Sequence, residues 1–563
     1  MLSEKEMSPM KQSISLFVLA FLVISCKAQN ESLNNHSASK SQSLERPKLV
    51  VGIVVDQMRY DYLTRFYSKY GEGGFKRMMN EGYNCKNTHY NYVPTYTAPG
   101  HASIFSGTTP KYHGIIGNDW YDKEAKKSVY CTSDETVEGV GVTGYPGKMS
   151  PQQMKTTTFT DENRLFTEME GKTIGIALKD RGAILPAGHT ANAAYWFEGH
   201  AEGKWISSTY YMNDLPQWVQ DFNSKEHIDS YLQTWNTLVD INLYTESGID
   251  SNDFEGGFRG KEIADFPYDL KELKDQNGGY DILKVTPFGN TMTADFAIEA
   301  IQQEQLGKDA TTDVLTVSFS STDYIGHNFG VNSKEIEDTY IRLDKDLERF
   351  LNALDANVGQ GNYTVFLTAD HAAIDVPAYL ESVRIPAGLF DSRGFRDYVS
   401  KFANSEFGVD DLVENISNNQ IFLNRERIKS QNLNLQEVQQ SIVDEIIGYN
   451  YIDKAYTGAS MTQTYFSEGI EHLIQNGYSQ KRSGDVIFVF DPTVISYSKT
   501  GSTHGSSYQY DTHVPLLFYG KGIKHGSTFQ KTDITDIAPT ITALLDINAP
   551  NASIGNPLEF VLD

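Results

Sequence analysis

Runs of apolar, mostly β-branched residues, separated by helical patterns, limit the fold of this chain more than any other feature. The run at residues 48–55 (K-L-V-V-G-I-V-V) has no polar face, which is the pattern of a strand buried on both sides of a parallel sheet. Runs of strand length recur at residues 172–178, 313–319, 363–367, 485–490 and 514–519. This alternation predicts an α/β fold, a three-layer αβα sandwich around a mostly parallel sheet.

Two long blocks interrupt the alternation of strands and helices. Trp, Tyr, Asp and Gly accumulate at residues 199–289, and residues 376–484 are irregular with helices of their own. We interpret both blocks as insertions outside the main sheet. They would form two cap regions of a single catalytic domain that spans residues 48–563.

The N-terminus has the pattern of an export signal. Lysines precede an apolar run at residues 14–24 that is too short to span a bilayer, and V-I-S-Cys26 follows. This resembles the lipobox of bacterial lipoproteins, so residues 1–26 are predicted to be a lipoprotein-type signal peptide with Cys26 acylated. Cleavage near Ala28 is the alternative. Residues 27–47, rich in Ser, Asn and Gln, would be a flexible tether.

The predicted compartment is the periplasm, or the outer membrane if the lipid anchor is present. An oxidising compartment permits a disulfide between Cys85 and Cys131, and two buried free thiols are the alternative. The formal net charge of −25 argues against nucleic acid or an anionic membrane as partner, since phosphate-binding surfaces are positively charged. Any phosphate site in this chain must therefore carry its own local positive charge, for example metal ions.

A segment with two prolines, V-P-T-Y-T-A-P-G-H, cannot run as an uninterrupted helix. The following residues, from Pro99 to Gly107, predict a short helix opened by proline and closed by glycine. Thr97 would then lie just before a helix N-terminus, where free N–H groups attract an anion. A hydroxyl in that place suits a nucleophile. The ordinary alternative is that Thr97 only caps the helix.

Three predicted strands lead into an aspartate, and histidines follow close by. In open α/β sheets ligands bind at the carboxyl ends of the strands, where three carboxylates would repel one another unless cations lay between them. A single histidine there would more often be a structural hydrogen-bonding residue, but the combination favours metal binding. The six candidate ligands are Asp56, Asp323, Asp370, His327, His371 and His504.

Six nitrogen and oxygen ligands suffice for two metal sites. Mixed imidazole and carboxylate ligands suit Zn²⁺, with Mn²⁺, Fe or another divalent ion as alternatives. Two ions about 4 Å apart can hold the attacking and leaving oxygens of an in-line displacement. One of the two ions would bind Thr97 Oγ, which makes Thr97 both the nucleophile and a metal ligand.

Several motifs together resemble those of the alkaline phosphatase superfamily: D-Q-M-R, P-T-Y-T-A-P-G-H-A-S, N-D-W-Y, L-K-D-R-G-A, T-D-Y-I-G-H, T-A-D-H, T-H-G and T-D-I-A-P-T-I. From residue 48 to the C-terminus the chain resembles the phosphate-irrepressible, PafA-type alkaline phosphatases, which use a threonine nucleophile. The resemblance implies one zinc on Asp323, His327 and His504, and another on Asp56, Asp370 and His371 beside Thr97.

The same resemblance implies that Asn118, Lys179 and Arg181 bind phosphoryl oxygens. Independently of it, K-x-R at a strand end places two cations on one side of the chain, where arginine can hold two phosphate oxygens and lysine supplies a point charge. A solvated loop is the alternative for this pair.

The leading hypothesis is an exported phosphomonoesterase that forms a covalent phosphothreonine, acts on small phosphorylated metabolites and works as a monomer. A phosphodiesterase or nucleotide pyrophosphatase of the same superfamily is the alternative. A sulfatase is less favoured, because T-A-P-G-H lacks the arginine and the Cys or Ser of the formylglycine motif. A surface lipoprotein that only binds ligands would not need six metal ligands and a placed hydroxyl.

Overall fold

The main sheet of the computed structural model has ten strands, and the structure describes residues 45–200 and 202–563. In chain order the strands are β1 (Leu49–Val55), β2 (Tyr83–Cys85), β3 (Gly139–Val140), β4 (Thr173–Ala177), β5 (Ala193–Glu198), β6 (Lys204–Ser208), β7 (Asp313–Phe319), β8 (Tyr363–Thr368), β9 (Leu516–Gly520) and β10 (Gly526–Thr528). Across the sheet they follow the order β10-β2-β9-β8-β1-β7-β4-β5-β6-β3.

The five central strands β8, β1, β7, β4 and β5 are parallel to one another, and they are flanked by two antiparallel pairs, β8 with β9 and β5 with β6. All seven residues of β1 and of β7 are buried, which is why these runs carry no polar face. One group of helices packs around helix Thr97–Ser106, and another packs around helix Lys334–Asn357. The predicted α/β architecture around a mostly parallel sheet is confirmed.

The α-helices vary widely in length, from one turn to more than six turns. Their bounds are Tyr62–Arg65, Phe75–Glu81, Thr97–Ser106, Pro110–His113, Phe159–Phe166, Asp180–Ala187, Gln217–Phe222, Lys225–Asp229, Leu270–Leu273, Pro287–Gln303, Ser321–Phe329, Lys334–Asn357, Pro377–Ser382, Ser392–Phe407, Arg425–Ser430, Leu435–Ile446, Gly458–Gln463, Gly469–Gly477, Gln509–Thr512 and Ile537–Leu545. Among the described residues, none of these helices is long and apolar enough to cross a bilayer.

The block predicted as a first insertion at residues 199–289 is not wholly outside the main sheet. Strand β6 lies within it and pairs antiparallel with β5 through Trp196 opposite Ile206 and Phe197 opposite Trp205. The first ordered part of this block therefore extends the main sheet. A small pair of strands, Thr234–Trp235 with Tyr268–Asp269, lies further along the block.

The block predicted as a second insertion at residues 376–484 has its own sheet, with strands Val413–Ser417, Gln420–Leu423, Val486–Phe490 and Ile452–Thr457 in that spatial order. Its core is separate from that of the main sheet and includes Phe395, Val438 and Ile442. Strand Val486–Phe490 belongs to this sheet, so the second sheet extends beyond residue 484.

Four smaller pairings complete the secondary structure. Strand Thr88–His89 lies between His513–Val514 and Thr532–Asp533, Gly388–Leu389 pairs with Val494–Ile495, and Asp119–Asp122 pairs with Lys127–Tyr130. Cys85 and Cys131 are buried free thiols, which decides between the two alternatives for this pair. The predicted signal peptide and nearly all of the predicted tether lie outside the described residues.

Candidate active site

Four neighbouring parallel strands place four of the candidate residues side by side at the carboxyl ends of the strands. Strands β8, β1, β7 and β4 are adjacent in that order. Asp370, Asp56, Asp323 and Lys179 follow them within four residues of each strand end. All four side chains are buried. The carboxyl ends of the strands thus gather the charges, as expected for an open α/β sheet.

Asp323, His327 and His504 form the first ligand cluster. Asp323 Oδ1 lies 3.2 Å from His327 Nε2 and 3.6 Å from His504 Nε2. The other ring nitrogen of each histidine pairs with a backbone carbonyl at 2.7 Å, Ser502 O for His327 and Thr95 O for His504. These bonds orient both rings so that Nε2 points into the cluster, which is the usual arrangement of metal-binding histidines.

Asp56, Asp370 and His371 form the second ligand cluster. His371 Nε2 lies 3.6 Å from Asp56 Oδ1 and 3.5 Å from Asp370 Oδ2. These three atoms are buried and have no hydrogen-bond partner among the residues that the structure describes. Converging, unpartnered ligand atoms are costly unless a cation satisfies them, so the donor set fits a metal ion.

Asp323 lies close to both clusters. The ligand atoms of Asp323, His327 and His504 lie within 4.8 Å of one another, and so do those of Asp56, Asp323 and His371. The resemblance implied Asp370 rather than Asp323 as the third ligand beside Asp56 and His371. The geometry therefore leaves the carboxylate of Asp323 within reach of both ligand clusters.

Thr97 is the first residue of helix Thr97–Ser106 and not the residue before it, because Tyr96 is the N-cap. Neither Tyr96 nor Thr97 caps the helix through its side chain. The Thr97 hydroxyl is buried and lies 3.5 Å from Lys179 Nζ. Asn118 Oδ1 instead accepts the next free N–H, that of Ala98, at 2.9 Å. The ordinary explanation of Thr97 as a helix cap thus does not apply.

The helix that begins at Thr97 sits directly against the strand end that carries Asp370. A Cβ on Gly100 would lie 2.3 Å from the carbonyl oxygen of Asp370, so only glycine permits this approach. The C-terminal Gly107 has φ +66°, the left-handed conformation that commonly ends helices. Gly107 was predicted to close this helix and does so, whereas the close approach at Gly100 was not predicted.

Lys179 and Arg181 occupy different surroundings. Lys179 Nζ contacts Asp56 Oδ2 at 2.7 Å and Asp323 Oδ2 at 2.5 Å. Arg181 donates from Nη1 to Tyr130 Oη at 3.0 Å. Both residues line a cavity of about 320 Å³ whose walls include Tyr324, Trp196 and Lys284. The ammonium group joins the two ligand clusters, and the guanidinium group lies beside the cavity.

Burial dominates the electrostatics of the site. It raises the pKa of Asp56 to about 6, although Lys179 opposes the shift. Burial and the neighbouring Asp56 raise the pKa of Asp370 well above its usual value. Burial lowers the pKa of His504 to about 3 and that of His371 well below its usual value. Both histidines are therefore neutral near pH 7, which is the form that binds metal.

Sequence reasoning missed two residues that hold the site together. Gln57 donates from Nε2 to Asp323 Oδ1 at 2.7 Å. His101 contacts Thr97 O at 2.8 Å through Nδ1 and Ser318 Oγ at 2.9 Å through Nε2. Their motifs, D-Q-M-R and P-G-H-A-S, were recognised, but the residue types alone assign no role to either side chain.

A mostly parallel α/β sheet with two clusters of buried aspartates and histidines beside a placed threonine defines the class of the protein, a hydrolase-type fold of the alkaline phosphatase superfamily. Residues 50–515 match the model of the family described as type I phosphodiesterase / nucleotide pyrophosphatase. The chain belongs to this family.

Similar proteins cover nearly the whole chain. Alkaline phosphatase PafA of Elizabethkingia meningoseptica is 47% identical over 93% of this chain and 96% of its own length. Alkaline phosphatase PhoV of Synechococcus elongatus is 43% identical over 98% of this chain and 100% of its own length. A Myroides odoratus protein named calcium-transporting ATPase is 46% identical over 93% of this chain and 96% of its own.

A solved structure agrees with these relatives. The crystal structure of wild-type PafA superposes with a TM-score of 0.89 and 45% identity, covering 93% of this chain and 100% of that chain.

Proposed function

We propose that this protein is an exported alkaline phosphatase that hydrolyses phosphate monoesters and releases inorganic phosphate. One observation carries the proposal: a buried threonine hydroxyl, free of any capping role, lies 3.5 Å from a buried lysine that contacts both Asp/His clusters. The similarity to two alkaline phosphatases over more than nine-tenths of the chain supports a phosphoric monoester hydrolase.

In the proposed reaction the Thr97 oxygen attacks phosphorus. The Oγ–P bond forms as the P–O bond to the alcohol breaks, which gives a phosphothreonine. Water then cleaves the Oγ–P bond and releases inorganic phosphate. Asn118, Lys179 and Arg181 bind the non-bridging phosphoryl oxygens, where fixed donors and charges stabilise the charge that develops.

Two Zn²⁺ ions per chain fit the donor set, although Mn²⁺ or another divalent ion suits the same ligands. We assign one ion to Asp323, His327 and His504 and the other to Asp56, Asp370 and His371, with Thr97 Oγ beside the second. When bound, such ions stabilise negative charge on the attacking and leaving oxygens. The protein side chains hold the ligands in place and keep both His371 and His504 neutral.

A solved variant of PafA supports the assignment of the phosphate-binding residues. In that variant one threonine, one asparagine, one lysine and one arginine are replaced together. Those are the residue types of Thr97, Asn118, Lys179 and Arg181.

A phosphodiesterase or nucleotide pyrophosphatase remains the second candidate, because the matching family carries that description. Two cationic side chains within one turn, Lys179 and Arg181, both line an open cavity, which favours a substrate with more than one charged oxygen. That observation and the named relatives favour monoesters.

We also propose that the enzyme is exported to the periplasm or anchored to the outer membrane through Cys26, and that it acts as a monomer on small phosphorylated metabolites. The basis is the sequence alone, namely the lipobox-like V-I-S-C and the strongly negative net charge. Fractionation of cells that produce the Cys26→Ala variant would test the anchor, since loss of acylation should release the protein from the membrane fraction.

Thr97→Ala tests the proposed function directly. Loss of the nucleophile should lower monoester turnover by several orders of magnitude, since covalent catalysis is then unavailable, and Thr97→Ser should retain far more activity. Thr109→Ala is the matched control, because Thr109 is also a buried threonine at a helix start without a capping bond.

Two further measurements complete this test. Phosphate trapped on Thr97 should be detectable by mass spectrometry after acid quenching. Chelation should abolish turnover, and added Zn²⁺ should restore it. A Thr97→Ala variant that keeps more than about a tenth of wild-type turnover would move the nucleophile to another residue.

A further inference from the structure

Gln57 contacts one carboxylate of each ligand cluster. Its side-chain Nε2 donates to Asp323 Oδ1 at 2.7 Å, and its backbone N–H donates to Asp370 Oδ1 at 3.1 Å. Gln57 directly follows Asp56 and is 2% exposed. Both clusters are thus tied to a single residue at the end of β1.

The two bonds determine which carboxylate oxygen faces which cluster. The Asp323 oxygen held by Gln57 is also the one closest to His327 and His504. On Asp370 the backbone bond occupies Oδ1, so that Oδ2 faces His371 at 3.5 Å. This matters most for Asp323, because its carboxylate lies within reach of both clusters.

Two unusual backbone features allow Gln57 to make both hydrogen bonds. Gln57 has φ +61°, a left-handed conformation that is unfavourable for a residue other than glycine. A Cβ on Gly326, which lies between Asp323 and His327 on one helix, would come within 1.9 Å of Gln57 Oε1. The left-handed backbone of Gln57 and the missing side chain of Gly326 together allow the Gln57 amide to lie beside Asp323.

We propose that Gln57 is a positioning residue that sorts the carboxylates between the two ions, with its side chain directing Asp323 to the His327/His504 site. The inference rests on the proposed function, in which both clusters bind metal. Gln57 is not one of the six assigned ligands, and its contacts with the site are to the carboxylates of Asp323 and Asp370. Partners that orient metal ligands in this way typically contribute about 10–100-fold to metal affinity.

The test is metal affinity of the purified full chain, measured by competition with a chromogenic chelator, and the absorption spectrum of the Co²⁺-substituted protein. Gln57→Ala should weaken one of two metal sites about 10–100-fold and change the Co²⁺ spectrum. The other site should change less, because the backbone bond to Asp370 remains. Gln57→Met keeps most of the shape without the donor and adds no carboxylate, and it should show the same loss, which covers the case in which the alanine variant does not fold.

Gln439→Ala is the matched control. Gln439 is also a buried glutamine that donates from Nε2 to a buried aspartate, Asp485 Oδ1 at 3.2 Å. It lies in helix Leu435–Ile446, which packs on the second sheet and not beside the clusters. Its loss should lower stability without changing either metal affinity. If both Gln57 variants keep two metal sites of wild-type affinity, the proposed role of Gln57 is wrong and the proposed function still stands. A wild-type protein that binds no metal would overturn the proposed function, and the inference with it.

Discussion

Arg181 offers the cleanest test of whether this site prefers monoesters. Its guanidinium donates to Tyr130 Oη, and its buried Nε has no hydrogen-bond partner within the described part of the chain. Lys179 is less suitable, since its removal would leave Asp56 and Asp323 uncompensated. Breaking a buried ion pair costs about 3–5 kcal/mol. Arg181→Ala removes a cation from the cavity wall and leaves the carboxylate contacts intact.

The size of the effect follows from the charge of the substrate. A hydrogen bond to a charged group contributes about 1.5–3 kcal/mol, which corresponds to roughly 10- to 150-fold in kcat/KM. A monoester dianion offers a charged oxygen to the guanidinium. In a diester one of these oxygens is esterified, so less of that energy is available. Arg181→Ala should therefore lower kcat/KM for the monoester much more than kcat/KM for the diester.

The assay compares kcat/KM for an aryl phosphate monoester with that for the matching methyl aryl diester, at equal metal content. Wild type should prefer the monoester, and Arg181→Ala should lower kcat/KM for the monoester about 10- to 150-fold and thereby reduce this preference by at most that factor. Arg181→Lys keeps a charge and should lie in between. Tyr130→Phe removes only the partner of Nη1 and should have a smaller effect. Equal losses on both esters, or a wild-type preference for diesters, would refute the reasoning and favour the diesterase.

Two further predictions concern stability and thiol chemistry. Burial raises the pKa of Glu335 from 4.5 to about 8, so its ionisation costs stability as the pH rises through that range. Glu335→Gln, which can still accept the bond from Tyr268, should raise the thermal midpoint near pH 9 and hardly change it near pH 4; equal shifts at both would contradict this. Cys85 and Cys131 should resist a thiol reagent in the native protein and react after unfolding without reductant, whereas a disulfide would leave them unreactive.

The central strands could be predicted from the sequence because full burial requires a continuous apolar run. The run at residues 313–319 coincides with Asp313–Phe319, and that at residues 48–55 differs from β1 by one residue. Strand β6 was missed, since K-W-I-S-S is short, polar at both ends and located in a block without periodicity. Its place in the sheet comes from pairing with β5, which no local pattern encodes.

The strand at Val486–Phe490 illustrates a related limit. Its apolar run was identified as a strand, but the run contains nothing that says which sheet it joins. In the structure it lies between Gln420–Leu423 and Ile452–Thr457, both antiparallel to it. Hydrophobic periodicity predicts that a strand is buried, and long-range pairing decides where.

The same distinction holds for the candidate site. Residue types and strand ends predicted that Asp56, Asp323 and Asp370 would meet. They did not predict that Asp323 would lie within reach of both clusters, because that depends on side-chain rotation and on the bond from Gln57. A sequence therefore predicts which ligands assemble, and the hydrogen bonds around them determine how they are shared.

The charges at the site support the proposed choice of substrate. When all three aspartates are ionised, they and the two cations Lys179 and Arg181 leave one net negative charge, and all of these residues except the half-buried Arg181 are buried. The raised pKa values of Asp56 and Asp370 reflect the cost of ionising them there. Two divalent ions would turn this into a net charge of plus three, and the Thr97 alkoxide would lower it to plus two. A monoester dianion neutralises that charge, whereas a diester monoanion leaves one positive charge uncompensated away from water, where such an excess is most costly.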